Sequence, residues 1–339
     1  MNKEKLQKIA NQLVFSGKGI LAADESTPTC TKRFSEIGLE STAFSRNEYR
    51  DMLFTTPSLE KYISGIIMFD ETIRQNTINS NIPFPKYLEQ KGILTGIKVD
   101  TGAKNLAGKN EEKITEGLDN LKERLIEYKD LGASFAKWRA VITIKDNSMP
   151  SKTCIYANAH ALARYASLCQ ENDLVPIVEP EIIMDGKHDI KKCYEVTKNV
   201  LKVVFEELSL FDVFLEGIVL KPNMIICGKD CQNSCSNDPK KVADLTIQCL
   251  TESVPKSVPG VAFLSGGQSS NLATLHLDLM NKECQKKNNK KNWNLTFSFG
   301  RALQQDSLNS WKEKIIEKSQ EKLLFRVKTN SLACQGLIN

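Results

Sequence analysis

Side chains two apart on an extended strand share a face, and three charged pairs in this sequence have that spacing: Lys98 with Asp100, Lys137 with Arg139, and Glu179 with Glu181. Asp24, Lys221, Ser265 and Ser298 each close a further short apolar run. One charge at a strand end is ordinarily a solvated loop entrance, because Lys, Arg and Glu are mostly exposed. The same pattern at so many run ends means something else. A packed interior holds an inward charge only where others compensate it, as an active site does. Among chemistries open to such a set is activation of a carbon–carbon bond beside a carbonyl through a lysine imine, which acts as an electron sink and requires a neutral amine. Apolar surroundings and neighbouring cations favour the neutral amine. Lys221 follows the apolar run 217–220 and fits best by a modest margin, with Lys98 and Lys137 still open.

The cations indicate the ligand. Lys98, Lys137, Arg139, Arg301 and the pair Lys32–Arg33 are expected to face one mouth. Two phosphoryl groups bring about −1.5 to −2 charge each, so four or more cations match a bisphosphate. Ser265-Gly266-Gly267 and Ser298-Phe299-Gly300-Arg301 are small-residue turns suited to backbone approach by an anion. The net charge of +5 fits a small anionic substrate and is too mild to argue for nucleic acid. The run 264–268 (LSGGQ) resembles a transporter-ATPase signature, but no GxxxxGK[ST] loop accompanies it. A metal centre is not expected: His160, His188 and His276 have no converging spacing. Cys227, Cys231 and Cys235 are spaced C-x3-C-x3-C, unlike the C-x2-C pairs of zinc ribbons.

Eight strand-like runs could position these residues, at 19–24, 65–70, 96–100, 135–144, 175–182, 217–222, 261–267 and 295–301. Helical periodicity separates most of them: Leu118, Leu121, Leu125 and Tyr128 share one face, and Ile190, Cys193, Val196, Val200 and Val203 another. Alternating β and α elements imply a parallel sheet, and eight strands imply its closed form, a (β/α)8 TIM barrel of the α/β class with its site at the C-terminal strand ends. No Pro/Gly/Ser-rich linker interrupts residues 1–339, so one domain is expected. Leu6, Ile9 and Leu13 line one face of an N-terminal amphipathic helix, unlike the apolar core of a signal peptide. No apolar run approaches the roughly 18 residues of a membrane span. The polar, lysine-rich stretch 282–292 reads as a solvated loop. The ten cysteines lack framework spacing, so reduced thiols and a cytoplasmic location are expected.

The runs 19–26 (GILAADES), 96–100 (GIKVD), 135–139 (FAKWR), 178–181 (VEPE), 220–224 (LKPNM), 264–269 (LSGGQS) and 297–303 (FSFGRAL) resemble class I fructose-bisphosphate aldolases, with similarity from about residue 5 to about 336. The resemblance implies a metal-free lyase, without other cofactor, that forms a Schiff base on Lys221. It implies Glu179 as the main acid/base with Glu181 beside Lys221, Lys137 stabilising charge at the scissile bond, and Asp24 at the neighbouring hydroxyl. Ser265, Gly266, Gly300 and Arg301 would hold one phosphate, with Ser298 in the same turn; Lys98, Ser26 and Thr29 would hold the other. Lys32, Arg33 and Arg139 would line the same mouth. A cytosolic homotetramer acting on a sugar bisphosphate, with no nucleic-acid or membrane partner, is also implied.

Some positions depart from the family pattern. Pro28 stands where a small flexible residue is common, Thr101 replaces a usual lysine and Phe299 a usual tyrosine. The family commonly ends in a tail tyrosine, whereas the last tyrosine here is Tyr194. The expectation is therefore that Glu179 moves the proton at the carbanion carbon, or that this step is slow. Two other readings compete: a transaldolase-like imine enzyme, which needs fewer phosphate cations, and a catalytically silent scaffold barrel, which does not need Lys221, Glu179, Glu181 and Asp24 together.

Overall fold

A computed structural model describes residues 1–145, 148–231, 238–286 and 293–338. Alternate residues along its strands go two ways, and this divides the core. On one face Ile20, Ile67, Phe135, Val175, Ile177, Val219 and Ala262 fill the inside of a closed barrel. On the other, residues such as Leu21, Ile66, Trp138, Val178, Leu220 and Phe263 pack outward against the helices. The strands are β1 (Gly19–Ala23), β2 (Ile63–Met68), β3 (Leu94–Lys98), β4 (Gly102–Asn105), β5 (Lys113–Glu116), β6 (Phe135–Ile142), β7 (Val175–Ile182), β8 (Val219–Leu220), β9 (Gly260–Phe263) and β10 (Asn294–Phe299). The barrel closes in the order β1-β10-β9-β8-β7-β6-β3-β2, with neighbours parallel. All eight expected strands are therefore present, as a (β/α)8 barrel.

The helix Lys3–Leu13 covers the N-terminal end, burying Leu6, Ile9, Ala10 and Leu13 against the interior residues. Each fully buried leucine contributes roughly 1.5–3 kcal/mol. Gly65 and Gly96 make room there: a Cβ on Gly96 would lie 2.1 Å from the Phe135 ring, and one on Gly65 2.8 Å from Leu13 Cδ2. The long helices Lys152–Glu171 and Ile190–Leu210 follow β6 and β7 and begin at Ser151 and Asp189, whose side chains accept from the N–H of Cys154 and Lys192. The second of these buries Ile190, Cys193, Val196, Val200 and Val203, as the periodicity requires.

Three local expectations are corrected. The antiparallel hairpin β4–β5 was not anticipated; it is short and largely polar, so it carries no apolar alternation to read. Leu118 precedes the helix Leu121–Asp130 instead of joining it, because Asn120 enters the helix with a left-handed backbone, φ 52°. Residues 282–286 continue the helix Ser270–Lys286 instead of opening a loop, and 287–292 lie outside the described residues. Cys227 is buried and Cys231 half-buried, while Cys235 lies outside the described residues. Among the described residues no helix is long and apolar enough to cross a membrane.

Candidate active site

Following the inward column of each strand toward its C-terminal end, the residues change from apolar to charged. Val175 and Ile177 give way to Glu179 and Glu181 on β7, Phe135 to Lys137 and Arg139 on β6, and Ile20 and Ala22 to Asp24 after β1. Lys221 continues the column of Val219, and its backbone N–H donates to Val178 O at 2.8 Å, which extends the β7–β8 ladder and sets Lys221 beside Glu179. These residues line a cavity of about 400 Å³ together with Ser26, Thr29, Arg33, Lys98, Asp100, Ser265, Gly266, Gly267, Ser298, Gly300 and Arg301.

The centre is a chain of ionic contacts among buried groups. Lys221 Nζ lies 3.2 Å from Glu179 Oε1, and Lys137 Nζ lies 3.4 Å from Glu179 Oε2 and 2.7 Å from Asp24 Oδ2. Lys221 and Glu179 are each 3% exposed and Lys137 4%. Burial alone would raise the Asp24 pKa, but the charges of Lys137, Lys221 and Lys98 outweigh it and bring the carboxyl down to about 2. Burial opposes the charge on Lys137, yet Asp24 and Glu179 more than offset it and push that ammonium's pKa up. Lys137 is thus a permanent cation, whereas Lys221 faces a carboxylate that Lys137 shares. The same Glu179 can receive a proton from one side and return it on the other.

The mouth carries the anion-binding features. Gly266 and Gly267 have φ of +58° and +77°, which only a glycine turn adopts without strain. Gly300 caps the helix Arg301–Trp311 without a side-chain hydrogen bond, so the first N–H groups of that helix are available to an anion. Ser298 is 1% exposed and its Oγ has no hydrogen-bond partner among the described residues.

All the expected site residues except Lys32 line this cavity. Lys32 is exposed in the last turn of the helix Thr27–Ser35; neighbouring helical residues point about 100° apart, so it and Arg33 diverge. Glu181 and Lys221 line the cavity together, and the ion pairs divide the two glutamates. The Glu181 carboxylate is taken by Arg139, and Glu179 stands next to the lysine. Lys98 is likewise engaged, with Asp100 Oδ1 at 2.8 Å. Counting cations from sequence thus overstated the free positive charge, since five of the six that line the cavity have carboxylate partners; Arg301 has none among the described residues. Glu25, which holds Arg33, had no role in the sequence reading. No described residue after Arg301 lines the cavity. Near the chain end, the Ile338 N–H donates to Asp278 on the helix Ser270–Lys286.

Comparison with known proteins agrees with this geometry. The family model for fructose-bisphosphate aldolase class-I matches residues 5–339. A probable fructose-bisphosphate aldolase class 1 of Xanthomonas campestris pv. campestris is 51% identical over 339 residues, covering 99% of each chain. The muscle-type fructose-bisphosphate aldolase of Lethenteron camtschaticum is 49% identical over 337 residues, covering 98% of this chain and 91% of that one. A solved structure of fructose-bisphosphate aldolase from Plasmodium falciparum, in complex with TRAP and a small molecule inhibitor, superposes with a TM-score of 0.95 at 47% identity, covering 99% of this chain and 96% of that chain. The barrel gathers charged and small residues from the seven sequence runs in one cavity, and the chain belongs to the class I fructose-bisphosphate aldolase family.

Proposed function

We propose that this chain reversibly cleaves fructose 1,6-bisphosphate to dihydroxyacetone phosphate and glyceraldehyde 3-phosphate through an imine on Lys221. The observation that carries the reading is the Glu179 carboxylate, set between Lys221 and Lys137 in a buried site. Lys221 Nζ attacks the C2 carbonyl, a C–N bond forms, and water leaves with a proton from Glu179. The resulting iminium draws in the C3–C4 bonding pair as that bond breaks, which leaves an enamine. The C4 hydroxyl loses its proton to Glu179 while Asp24, held ionised, orients it; the Lys137 charge stabilises the developing oxyanion. Protonation at C3 and hydrolysis of the imine then release dihydroxyacetone phosphate.

The Gly266–Gly267 turn, Ser265, Ser298, Gly300 and Arg301 hold one phosphate, and Ser26, Thr29 and Lys98 the other. Lysine supplies the electron sink, so no metal is required. The enzyme is a cytosolic homotetramer in this reading, supported by the family pattern and by a 50% identical Arabidopsis thaliana relative named fructose-bisphosphate aldolase 4, cytosolic. A coupled assay for dihydroxyacetone phosphate on adding fructose 1,6-bisphosphate, with and without EDTA, tests the reading. Turnover that survives chelation is expected; no turnover, or turnover lost to EDTA, would refute it.

A further inference from the structure

Beside the reacting groups lies a buried charge cluster for which the reaction scheme has no use. Glu25 adjoins Asp24 but is held by two guanidiniums: Arg33 contacts Oε1, and Arg50 Nη2 lies 2.7 Å from Oε2. Arg50, on the helix Ala43–Phe54, is 2% exposed and also donates to Glu25 O at 3.4 Å and Cys30 Sγ at 3.5 Å. Gln304 closes the cluster from the helix that begins at Arg301. Its Nε2 donates to Ala22 O at 2.6 Å, and its Oε1 accepts from Tyr49 Oη at 3.1 Å and Arg33 Nη1 at 3.4 Å.

The charge count is uneven. Burial opposes ionisation of Glu25, but Arg50 and Arg33 keep its carboxyl below the usual range, so one anion faces two cations. A surplus positive charge is therefore buried at the cavity wall, where an unpaired charge is costly unless an anion meets it. Spare donors outnumber spare acceptors: Arg33 Nε and Nη2 and Arg50 Nη1 are buried without a hydrogen-bond partner among the described residues, as is Glu25 Oε2, which meets Arg50 as an ion pair. Arg33 lines the cavity, and Arg50 stands behind it.

We propose that Arg50 is a positioning residue for phosphate binding: it occupies one oxygen of Glu25, so that Glu25 holds Arg33 at the cavity wall without neutralising the cluster, and the surplus charge serves a substrate phosphate. This rests on the reading above that the cavity takes a sugar phosphate. Without Arg50, Glu25 and Arg33 form a neutral pair. The carboxylate then competes with phosphate for the same guanidinium. Arginine suits the place because its planar fork remains charged when buried and can reach the carboxylate, a backbone carbonyl and a thiol together.

Steady-state kinetics with fructose 1,6-bisphosphate and calorimetric titration with inorganic phosphate test the proposal on Arg50→Met, Arg50→Lys, Arg33→Met and the double variant Arg50→Met/Arg33→Met. Arg50→Met is expected to raise KM and the phosphate Kd about tenfold or more, the size of one lost charge-assisted contact, while kcat changes much less. Arg50→Lys, which keeps the charge, should recover most of that loss. In the double variant the two losses should fall short of their product, since Arg50 acts largely through Arg33. If Arg50→Met does not fold, Arg50→Gln, which keeps a donor to Glu25 and lacks the charge, carries the same expectation. An unchanged phosphate Kd in the folded variant, or losses that multiply in the double variant, would overturn the proposal. Phosphate titration separates this outcome from failure of the aldolase reading: a wild type without turnover sinks that reading, yet the ratio of phosphate affinities still decides the role of Arg50.

Discussion

The two ends of the barrel are built on the same inward columns of side chains and use them in opposite ways. At the N-terminal end Phe135, Val175 and Val219 cluster with Leu6, Leu13 and Val14, all of them buried and apolar. Only a few residues further along the same columns, Lys137, Glu179 and Lys221 stand in contact with one another. The closed end needs only shape and apolar area, and Gly65 and Gly96 supply the space for it. The open end holds buried ions, and each is tolerated because another lies within bonding distance. The barrel floor thus carries stability and the mouth carries chemistry. Substitutions at the two ends should therefore fail in different measurements.

The sharpest separation is expected from the centre of the mouth. Glu179→Gln keeps the shape and removes the proton carrier, so kcat should fall by roughly 10² to 10⁴, far more than the part of the stability lost with one ionic partner, because Lys137 keeps Asp24. A kcat within a few-fold of wild type would remove Glu179 from the reaction. At the other end, Leu13→Ala should cost about 2–5 kcal/mol in denaturant unfolding and leave KM unchanged, because the cavity it opens lies under the barrel floor. A shifted KM without lost stability would break the division between the ends. Arg301→Ala is the converse case, expected to cost about 2–4 kcal/mol in kcat/KM with stability kept, as for losing a charge-assisted contact to a dianion. Unchanged kinetics would show that the helix N-terminus and glycine turn bind phosphate without it.

The smallest effect concerns acid. Asp24 has a folded pKa of about 2 against an ordinary 3.8, so the folded state favours its ionised form. That contribution, about 2 kcal/mol, is fully present above pH 4 and disappears as pH falls through 2. The unfolding free energy of Asp24→Asn, followed between about pH 4 and 2, should therefore slope less steeply than that of the wild type. Equal slopes would mean that the Lys137–Asp24 pair adds no pH-dependent stability.

The strands and the mouth were legible in the sequence because the apolar runs end in polar or charged residues, and period-2 spacing turns many of these inward, as in Val175, Ile177, Glu179 and Glu181. Helix faces such as Ile190 to Val203 were equally plain. What stayed hidden depends on neighbours distant in the chain. Nothing local says that Glu181 belongs to Arg139 and Glu179 to Lys221, because pairing is decided by the barrel register. The Glu25–Arg50 contact joins a strand end to a helix 25 positions away, with no repeat to announce it. The β4–β5 hairpin and the outward turn of Lys32 were missed because polar surface residues carry no periodic signal.

The amine at the end of the Val219 column, and no other in the cavity, is expected to form the imine. Borohydride reduction in the presence of dihydroxyacetone phosphate, followed by peptide mapping, tests it most directly. Irreversible loss of activity with a single adduct on Lys221 is expected. An adduct on Lys98 or Lys137 in its place would contradict it.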